Sequence, residues 1–291
     1  MEDIIIKIKS DLINYDLHFN NRINIIRGDS ATGKSTLVRL INDRRKSKID
    51  VQSNYNIVHL TLEIINLDIK LNKNTVYIMD ENDGIEDTLV THIINKSKNK
   101  FILITRDSNL ENISYGIENI YEIHKSGNIN INKHKYKNIR NNNLNINSIN
   151  KILTEDSRSG LQFYKNYNNF NVQTSNGNSN INKMIDNNQI FIVDSIAFGP
   201  YIKILYKKII NNNILLVAPK SFEWLILTSN IFRLNNDKLY LDYLDCKYNI
   251  TEEKFYENIL KNESNKINIK YSKSKLNENI LDRDKIEMRW L

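Results

Sequence analysis

Cysteine and proline are scarce in this chain of 291 residues, which has one cysteine, Cys246, and two prolines. A single cysteine excludes a disulfide framework within the chain and a zinc site built from several cysteines. The five histidines show no spacing typical of a zinc site or a catalytic triad. No apolar run approaches the roughly 18 to 20 residues that would cross a bilayer, and the first residues lack the features of a signal peptide. These absences predict a cytoplasmic protein with no membrane partner.

The residues that are present are those of a folded protein, with 40% hydrophobic and 26% charged side chains. The length favours two domains. We predict them at residues 1–125 and 149–291, joined at 126–148 by a polar, basic segment that reads as a linker or an exposed hairpin. The net charge of +7 permits contact with phosphate-rich partners but falls short of a dedicated polycation.

Short apolar segments alternate with amphipathic ones, which predicts an α/β fold in both halves. In the first half, strands are predicted at 4–8, 22–27, 57–62, 75–79 and 101–105, and helices at 34–45 and 86–96. In the second half, strands are predicted at 151–154, 170–173, 190–193 and 214–218, and helices at 160–167, 179–185 and 201–210. Strands separated by helices imply parallel sheets. The tail beyond Phe222 is predicted to be helical.

A glycine-rich loop follows the second predicted strand and matches G-x-x-x-x-G-K-[ST] at every fixed position. Glycines let backbone N–H groups curl around phosphates, and the helix that follows adds the positive end of its dipole. Lys34 is expected to reach the β and γ phosphates, Ser35 to coordinate Mg²⁺, and Thr36 to bind near the α-phosphate. The predicted phosphate-binding residues are Gly28, Asp29, Ser30, Ala31, Thr32, Gly33, Lys34, Ser35 and Thr36.

Two carboxylates, Asp80 and Glu81, end a later apolar strand in the form of a Walker B motif. Asp80 is predicted to hold Mg²⁺, and Glu81 to act as general base toward the attacking water. Thr105 and Arg106 end the next strand and are expected at the same rim of the sheet. There Thr105 would sense the γ-phosphate and Arg106 would neutralise its charge, although an ordinary strand end explains both equally well.

With these motifs in this order, residues 1–125 resemble the ATPases of the ABC, SMC and AAA type. The resemblance implies ATP and Mg²⁺ as ligands, with Lys34, Asp80, Glu81 and Thr105 in catalytic roles. The stretch between Lys34 and Asp80 is too short for the helical subdomain of ABC proteins, and no LSGGQ-like segment is found. The Asn-Lys-x-Asp guanine reader of GTPases is also not found, so ATP is expected rather than GTP.

In the second half, Glu155 and Asp194 each follow a predicted strand. A parallel sheet would bring their carboxylates to one rim, where they would suit Mg²⁺. The pattern resembles a Toprim domain, a metal-dependent phosphodiester module that often follows an ATPase in nucleases, with a Rossmann-like domain as the alternative. Asp156 stands where that pattern has glycine, and Ile196 where it has a second carboxylate. Glu223 is a candidate third acid, although its segment is more simply a core helix.

Three functions remain open. The first is a Mg²⁺-dependent ATPase whose nucleotide state controls a C-terminal module that acts on or senses DNA or RNA. Basic and aromatic residues at 133–137, 206–208 and 270–273 are compatible with that partner. The second is a nucleotide-gated module of a defence or mobile-element system that binds a protein without nuclease chemistry. The third is a small-molecule P-loop kinase; a homodimer in which two ATP sites face each other is compatible with the sequence.

Overall fold

The computed structural model describes residues 3–11, 13–28, 32–44, 48–66, 71–106, 110, 112–113, 115–126, 128–133, 144–166, 170–232, 234, 239 and 252–282. These residues have a mixed α/β fold. They divide into two compact units. With the gaps just given, the first unit contains residues 3–115 and 119–133, and the second contains 116–118 and 144–282.

The first unit is built on one large sheet. Its elements are β1 (Ile4–Ser10), β2 (Tyr15–Phe19), β3 (Ile23–Arg27), α1 (Lys34–Asn42), β4 (Ile49–Ser53), β5 (Asn56–His59), α2 (Leu62–Asn66), β6 (Thr75–Asp80), α3 (Thr88–Lys96), β7 (Lys100–Thr105), β8 (Ile120–Ser126) and β9 (Asn128–Lys133). Within the described residues the strand order is β4-β1-β2-β9-β8-β3-β7-β6-β5. The five strands β8-β3-β7-β6-β5 are parallel, so their carboxyl ends share one edge. The parallel arrangement was predicted for β3, β5, β6 and β7, whereas β8 was not predicted as a strand.

The rest of that sheet is mixed, because β1 pairs antiparallel with β2 and β4, and β8 pairs antiparallel with β9. Strands β2, β4 and β8 were not predicted. The residues of β2 alternate between buried and exposed, a half-buried pattern that differs from the continuous burial of β3. The predicted strand 57–62 is also too long, since it ends at His59 and Leu62 already begins α2.

Helix α1 packs its apolar face on one side of the sheet. Its buried residues Leu37 and Ile41 join a core with Ile6, Ile78 and Ile104 from three strands. Helix α3 begins at a strong cap, because the Asp87 carboxylate accepts hydrogen bonds from the first-turn N–H groups of α3. Helix α1 follows β3 and helix α3 follows β6, so both begin beyond the carboxyl ends of parallel strands, where the candidate site lies.

The second unit is built on a parallel sheet. Its elements are β10 (Lys151–Thr154), α4 (Ser159–Tyr164), β11 (Asn171–Thr174), α5 (Ile181–Met184), β12 (Gln189–Ile192), α6 (Gly199–Asn211), β13 (Ile214–Val217), α7 (Phe222–Leu227), α8 (Glu252–Lys266) and α9 (Glu278–Leu281). In the part of the chain that the structure describes, the strand order is β11-β10-β12-β13. Helices α7, α8 and α9 carry the predicted helical tail, and Phe222, Tyr256 and Ile280 from them join the core around Ile152.

Several predicted segments reach beyond the described residues. Strand β9 lies within the predicted linker 126–148, whereas residues 127 and 134–143 of that linker lie outside the described residues. Helix α1 ends at Asn42, and Arg45, the predicted helix end, also lies outside them. The domain boundaries at 125 and 149 stay predictions.

Candidate functional site

The glycine-rich loop connects β3 to α1 at the carboxyl edge of the parallel strands. Gly28 has φ 148° and Gly33 has φ 98°, a left-handed region that side-chain-bearing residues rarely adopt. Gly33 also caps α1, where its carbonyl accepts the N–H of Leu37 at 3.0 Å. Of the predicted phosphate-binding residues, Asp29, Ser30 and Ala31 lie outside the described residues.

The side chain of Lys34 folds into this loop. Lys34 is 6% exposed, and its Nζ donates to the Gly28 carbonyl at 2.6 Å and to Thr32 Oγ1 at 3.1 Å. The ammonium therefore lies against the first residue of the loop. Ser35 is exposed and Thr36 is half-buried, both in the first turn of α1, where N–H groups of a helix face outward along its axis.

A tyrosine from β2 contacts the last glycine of the loop. The hydroxyl of Tyr15 donates to the Gly33 carbonyl at 2.8 Å, and its ring is 2% exposed. Burial raises the pKa of Tyr15 to about 12, against the opposing charge of Arg39. The phenol is therefore a neutral donor at physiological pH, and it ties the strand that sequence reasoning missed to the start of α1.

The two predicted catalytic acids form a tight turn after β6. Residues Glu81–Asp83 make one turn of 3₁₀ helix, capped at its start by Asp80. Asp80 Oδ1 accepts the Glu81 N–H at 2.8 Å, and Asp83 Oδ2 accepts the Asp80 N–H at 2.6 Å. Gly84 ends the turn with φ 83°. We call Asp80–Asp83 the acid turn; its reciprocal hydrogen bonds orient the carboxylates at the sheet edge.

Glu81 is held by Arg106 from the end of β7. One Glu81 oxygen accepts the Arg106 backbone N–H at 2.9 Å, and the other lies 3.0 Å from Arg106 Nε. Arg106, predicted to neutralise a phosphate, thus pairs with the predicted general base. Thr105 is fully buried beside it and lies in register with Arg27 of β3. Strand β7 lies between β3 and β6, so the glycine-rich loop, Thr105 and the acid turn share one edge.

A histidine that sequence reasoning gave no role also reaches the acid turn. His59 ends β5, and its Nε2 lies 2.7 Å from Asp83 Oδ2. Its Nδ1 lies 2.8 Å from Asn42 Nδ2, at the last residue of α1. The available signal was positional, because His59 lies within the predicted strand 57–62, which the structure ends at His59 beside β6.

In the second unit, Glu155 and Asp194 follow the neighbouring parallel strands β10 and β12, and the structure brings them together. Glu155 Oε1 accepts the Asp194 N–H at 2.8 Å. Burial, followed by the negative charges of Glu155, Glu223, Asp156 and Glu253, raises the pKa of Asp194 well above its ordinary range. In the part of the chain described by the structure, no group of three or more histidine, cysteine, aspartate or glutamate side chains is arranged as a metal site.

Glu223 is buried at the start of α7 and receives two donors. The Tyr271 hydroxyl donates to its Oε1 at 2.8 Å, and Lys273 Nζ lies 3.2 Å from the same oxygen. Burial alone would lower the pKa of Lys273, but hydrogen bonds and charges from Glu253 and Glu223 outweigh it and raise the pKa. Tyr271 is 4% exposed, so its ring offers no surface for base stacking, and the predicted nucleic-acid role of segment 270–273 loses that contribution.

Comparison with models of known protein families and with curated protein sequences gives no match for this chain. Any function assigned to it therefore rests on the chemistry of these sites. Within the described ranges, no helix combines the length and apolar character required to span a bilayer.

Proposed function

We propose that the first unit binds ATP with Mg²⁺ and hydrolyses it, and that its nucleotide state controls the second unit, which acts on or senses nucleic acid. The observation that carries the proposal is Lys34, whose ammonium lies inside a loop bounded by two left-handed glycines. That loop shares a sheet edge with the acid turn. ATP is preferred to GTP on the sequence motifs alone.

The donor set suits the triphosphate and its metal. Lys34 and the backbone N–H groups at the start of α1 would bind phosphate oxygens. The exposed Ser35 hydroxyl and the half-buried Asp80 carboxylate are hard oxygen ligands of the kind that Mg²⁺ prefers, so these residues fit the ion. When bound, Mg²⁺ would offset negative charge on the transferring phosphoryl group.

Glu81 is the proposed general base, which takes a proton from the water that attacks the γ-phosphorus as ADP leaves. One of its carboxylate oxygens accepts the Arg106 backbone N–H at 2.9 Å, and the other lies 3.0 Å from Arg106 Nε. A carboxylate oxygen has two acceptor positions, so both oxygens keep capacity to accept a hydrogen bond from water. Arg106 would therefore orient the base without occupying it fully.

Phosphate release from ATP and GTP with Mg²⁺ tests this function directly. Lys34→Ala should abolish nucleotide binding, and Glu81→Gln should retain binding and stall turnover, because an amide cannot take the proton. Lys48→Ala is the matched control, since Lys48 is an exposed lysine of the same unit that pairs with Asp11 at 3.3 Å. Normal turnover by Glu81→Gln would show that Glu81 is not the base.

The role of nucleic acid is tested in the same assay by adding DNA or RNA. Stimulated turnover, and Mg²⁺-dependent cleavage that is lost in Glu155→Ala with Asp194→Ala, would support a catalytic second unit. Cleavage that survives the double substitution would show that Glu155 and Asp194 are not the cleavage site. The double variant should hydrolyse ATP normally in the absence of nucleic acid, which controls for misfolding.

A second candidate is a nucleotide-gated module that binds a protein partner without nuclease chemistry. Two observations favour it: Lys273 places a cation 3.2 Å from Glu223, among the carboxylates that surround Asp194, and Ile196 stands where the Toprim pattern has a carboxylate. Nucleotide binding without cleavage or stimulation under any condition, together with nucleotide-dependent capture of a protein, would support this candidate.

A further inference from the structure

A chain of side chains joins the end of α1 to the acid turn. Asn42 lies at the last residue of α1, two helical turns after Ser35. Its Nδ2 is 2.8 Å from His59 Nδ1, and His59 Nε2 is 2.7 Å from Asp83 Oδ2. The same Asp83 oxygen accepts the Asp80 N–H at 2.6 Å. We call Asn42, His59, Asp83 and the Asp80 N–H the histidine relay.

The donors in this relay define the form of the imidazole. An amide nitrogen only donates, so His59 Nδ1 accepts the hydrogen bond from Asn42. In a neutral ring the proton then resides on Nε2, which donates it to Asp83. The relay therefore assigns the Nε2–H tautomer to His59. Asn42 donates to His59 and His59 to Asp83, whose same oxygen also accepts the Asp80 N–H.

The histidine relay ends at the acid turn, whose carboxylates repel each other and are therefore hard to hold in one orientation. The acid turn places the carboxylates of Asp80, Glu81 and Asp83 within four residues, and like charges this close repel each other. His59 and Asp83 have side chains 19% and 13% exposed, so their hydrogen bond is sheltered and stronger than a surface pair. Asp83, fixed by His59, holds the backbone of Asp80 in place.

We infer that His59 is a positioning residue for the Mg²⁺ site, which sets the Asp80 carboxylate at a defined place relative to Ser35 on α1. This inference rests on the proposed function, because it takes Ser35 and Asp80 as the metal ligands. His59 itself contacts neither metal nor nucleotide in this role. Its effect is therefore on metal affinity and not on phosphate binding by the glycine-rich loop.

Metal binding to the full-length protein with a non-hydrolysable ATP analogue tests the inference, using Mn²⁺ as a paramagnetic probe in place of Mg²⁺. His59→Leu removes the donor, and we expect it to weaken Mn²⁺ binding about tenfold, the scale of a lost hydrogen bond to a charged group. His59→Gln keeps an N–H donor near Nε2 and should restore most of the affinity. Binding of the analogue without divalent metal should be unchanged in both variants.

Arg44→Ala is the matched control. Arg44 Nη1 donates to the Ile57 carbonyl at 2.7 Å, so it also joins the end of α1 to β5 but lies outside the relay. We expect Arg44→Ala to leave the Mn²⁺ affinity unchanged; an equal loss would mean that general docking of α1 is responsible and would overturn the inference. If His59→Leu fails to fold, Asn42→Ala at an exposed position replaces it, because this change removes the partner of His59 Nδ1. We expect Asn42→Ala to weaken Mn²⁺ binding by more than threefold, and a smaller effect would overturn the inference.

Imidazole ¹⁵N chemical shifts give a readout that needs no nucleotide. Wild-type protein should show His59 as the Nε2–H tautomer, and Asp83→Asn should shift that signal. An Nδ1–H tautomer, or unchanged Mn²⁺ affinity in His59→Leu when the analogue still binds, would overturn the inference alone. Failure of the wild type to bind the analogue at all would overturn the proposed function, and the inference with it.

Discussion

Tyr15→Phe removes the hydroxyl group that contacts the end of the glycine-rich loop. Tyr15 is 2% exposed and donates to the Gly33 carbonyl at 2.8 Å. That carbonyl keeps a second donor, the Leu37 N–H at 3.0 Å, so no buried acceptor is left unsatisfied. We therefore expect the ordinary net value of one hydrogen bond, about 1 kcal/mol of unfolding free energy. ATP affinity should fall by about threefold to fivefold, because Gly33 loses a restraint worth at most this energy.

Urea unfolding measures the first effect and equilibrium binding of an ATP analogue the second. Tyr77→Phe is the matched control, since Tyr77 lies in β6 of the same sheet, is 3% exposed, and accepts a hydrogen bond from the Asn72 N–H at 2.7 Å. It should lose a similar or smaller amount of stability and keep its ATP affinity. Unchanged stability in Tyr15→Phe, or equal loss of affinity in the two variants, would refute the reasoning.

Two further predictions concern the second unit. Tyr271→Phe should lower the unfolding free energy by about 2 kcal/mol in urea unfolding, because a buried hydrogen bond to the Glu223 carboxylate is lost; no measurable change would show that this hydrogen bond does not stabilise the second unit. Burial alone would raise the pKa of Glu257, but hydrogen bonds from Lys261 and Lys254 outweigh it and lower the pKa from 4.5 to about 2. The stability this provides is present above pH 4.5 and is lost as the pH falls through 2, so the difference in melting temperature between wild type and Glu257→Gln should vanish with acidification. A difference in melting temperature that persisted at low pH would show that Glu257 stabilises the protein by packing and not by its charge.

The elements that carry the candidate site were predictable because their signals are local. Strand β3, the two glycines and α1 follow one another in the chain, and the motif specifies its own geometry. The same holds for Asp80 and Glu81, which end an apolar strand. The buried parallel strands β3, β6 and β7 are continuous apolar runs, so their positions and ends were visible within a few residues, whereas the parallel strand β8 was missed.

The features that were missed depend on partners distant in the chain. Strand β2 alternates buried and exposed residues, and only its pairing with β1 and β9 makes it a strand in the middle of the sheet. The contact of Arg106 with Glu81 was also not foreseen, because it depends on the fold, which aligns the carboxyl ends of β6 and β7 and places the guanidinium 3.0 Å from Glu81. No local pattern encodes either contact.

The sequence by itself determined the α/β class, the glycine-rich loop and the acids at the strand ends, because backbone conformation and hydrophobic periodicity depend on near neighbours. Tertiary structure alone decided which side chains meet: Tyr15 and Gly33, and His59 and Asp83, in the first unit, and Tyr271 and Glu223 in the second. In each pair the residues are separated by 18 or more positions. A contact over that separation is set by strand order and register, since these bring the two chain segments within hydrogen-bonding distance.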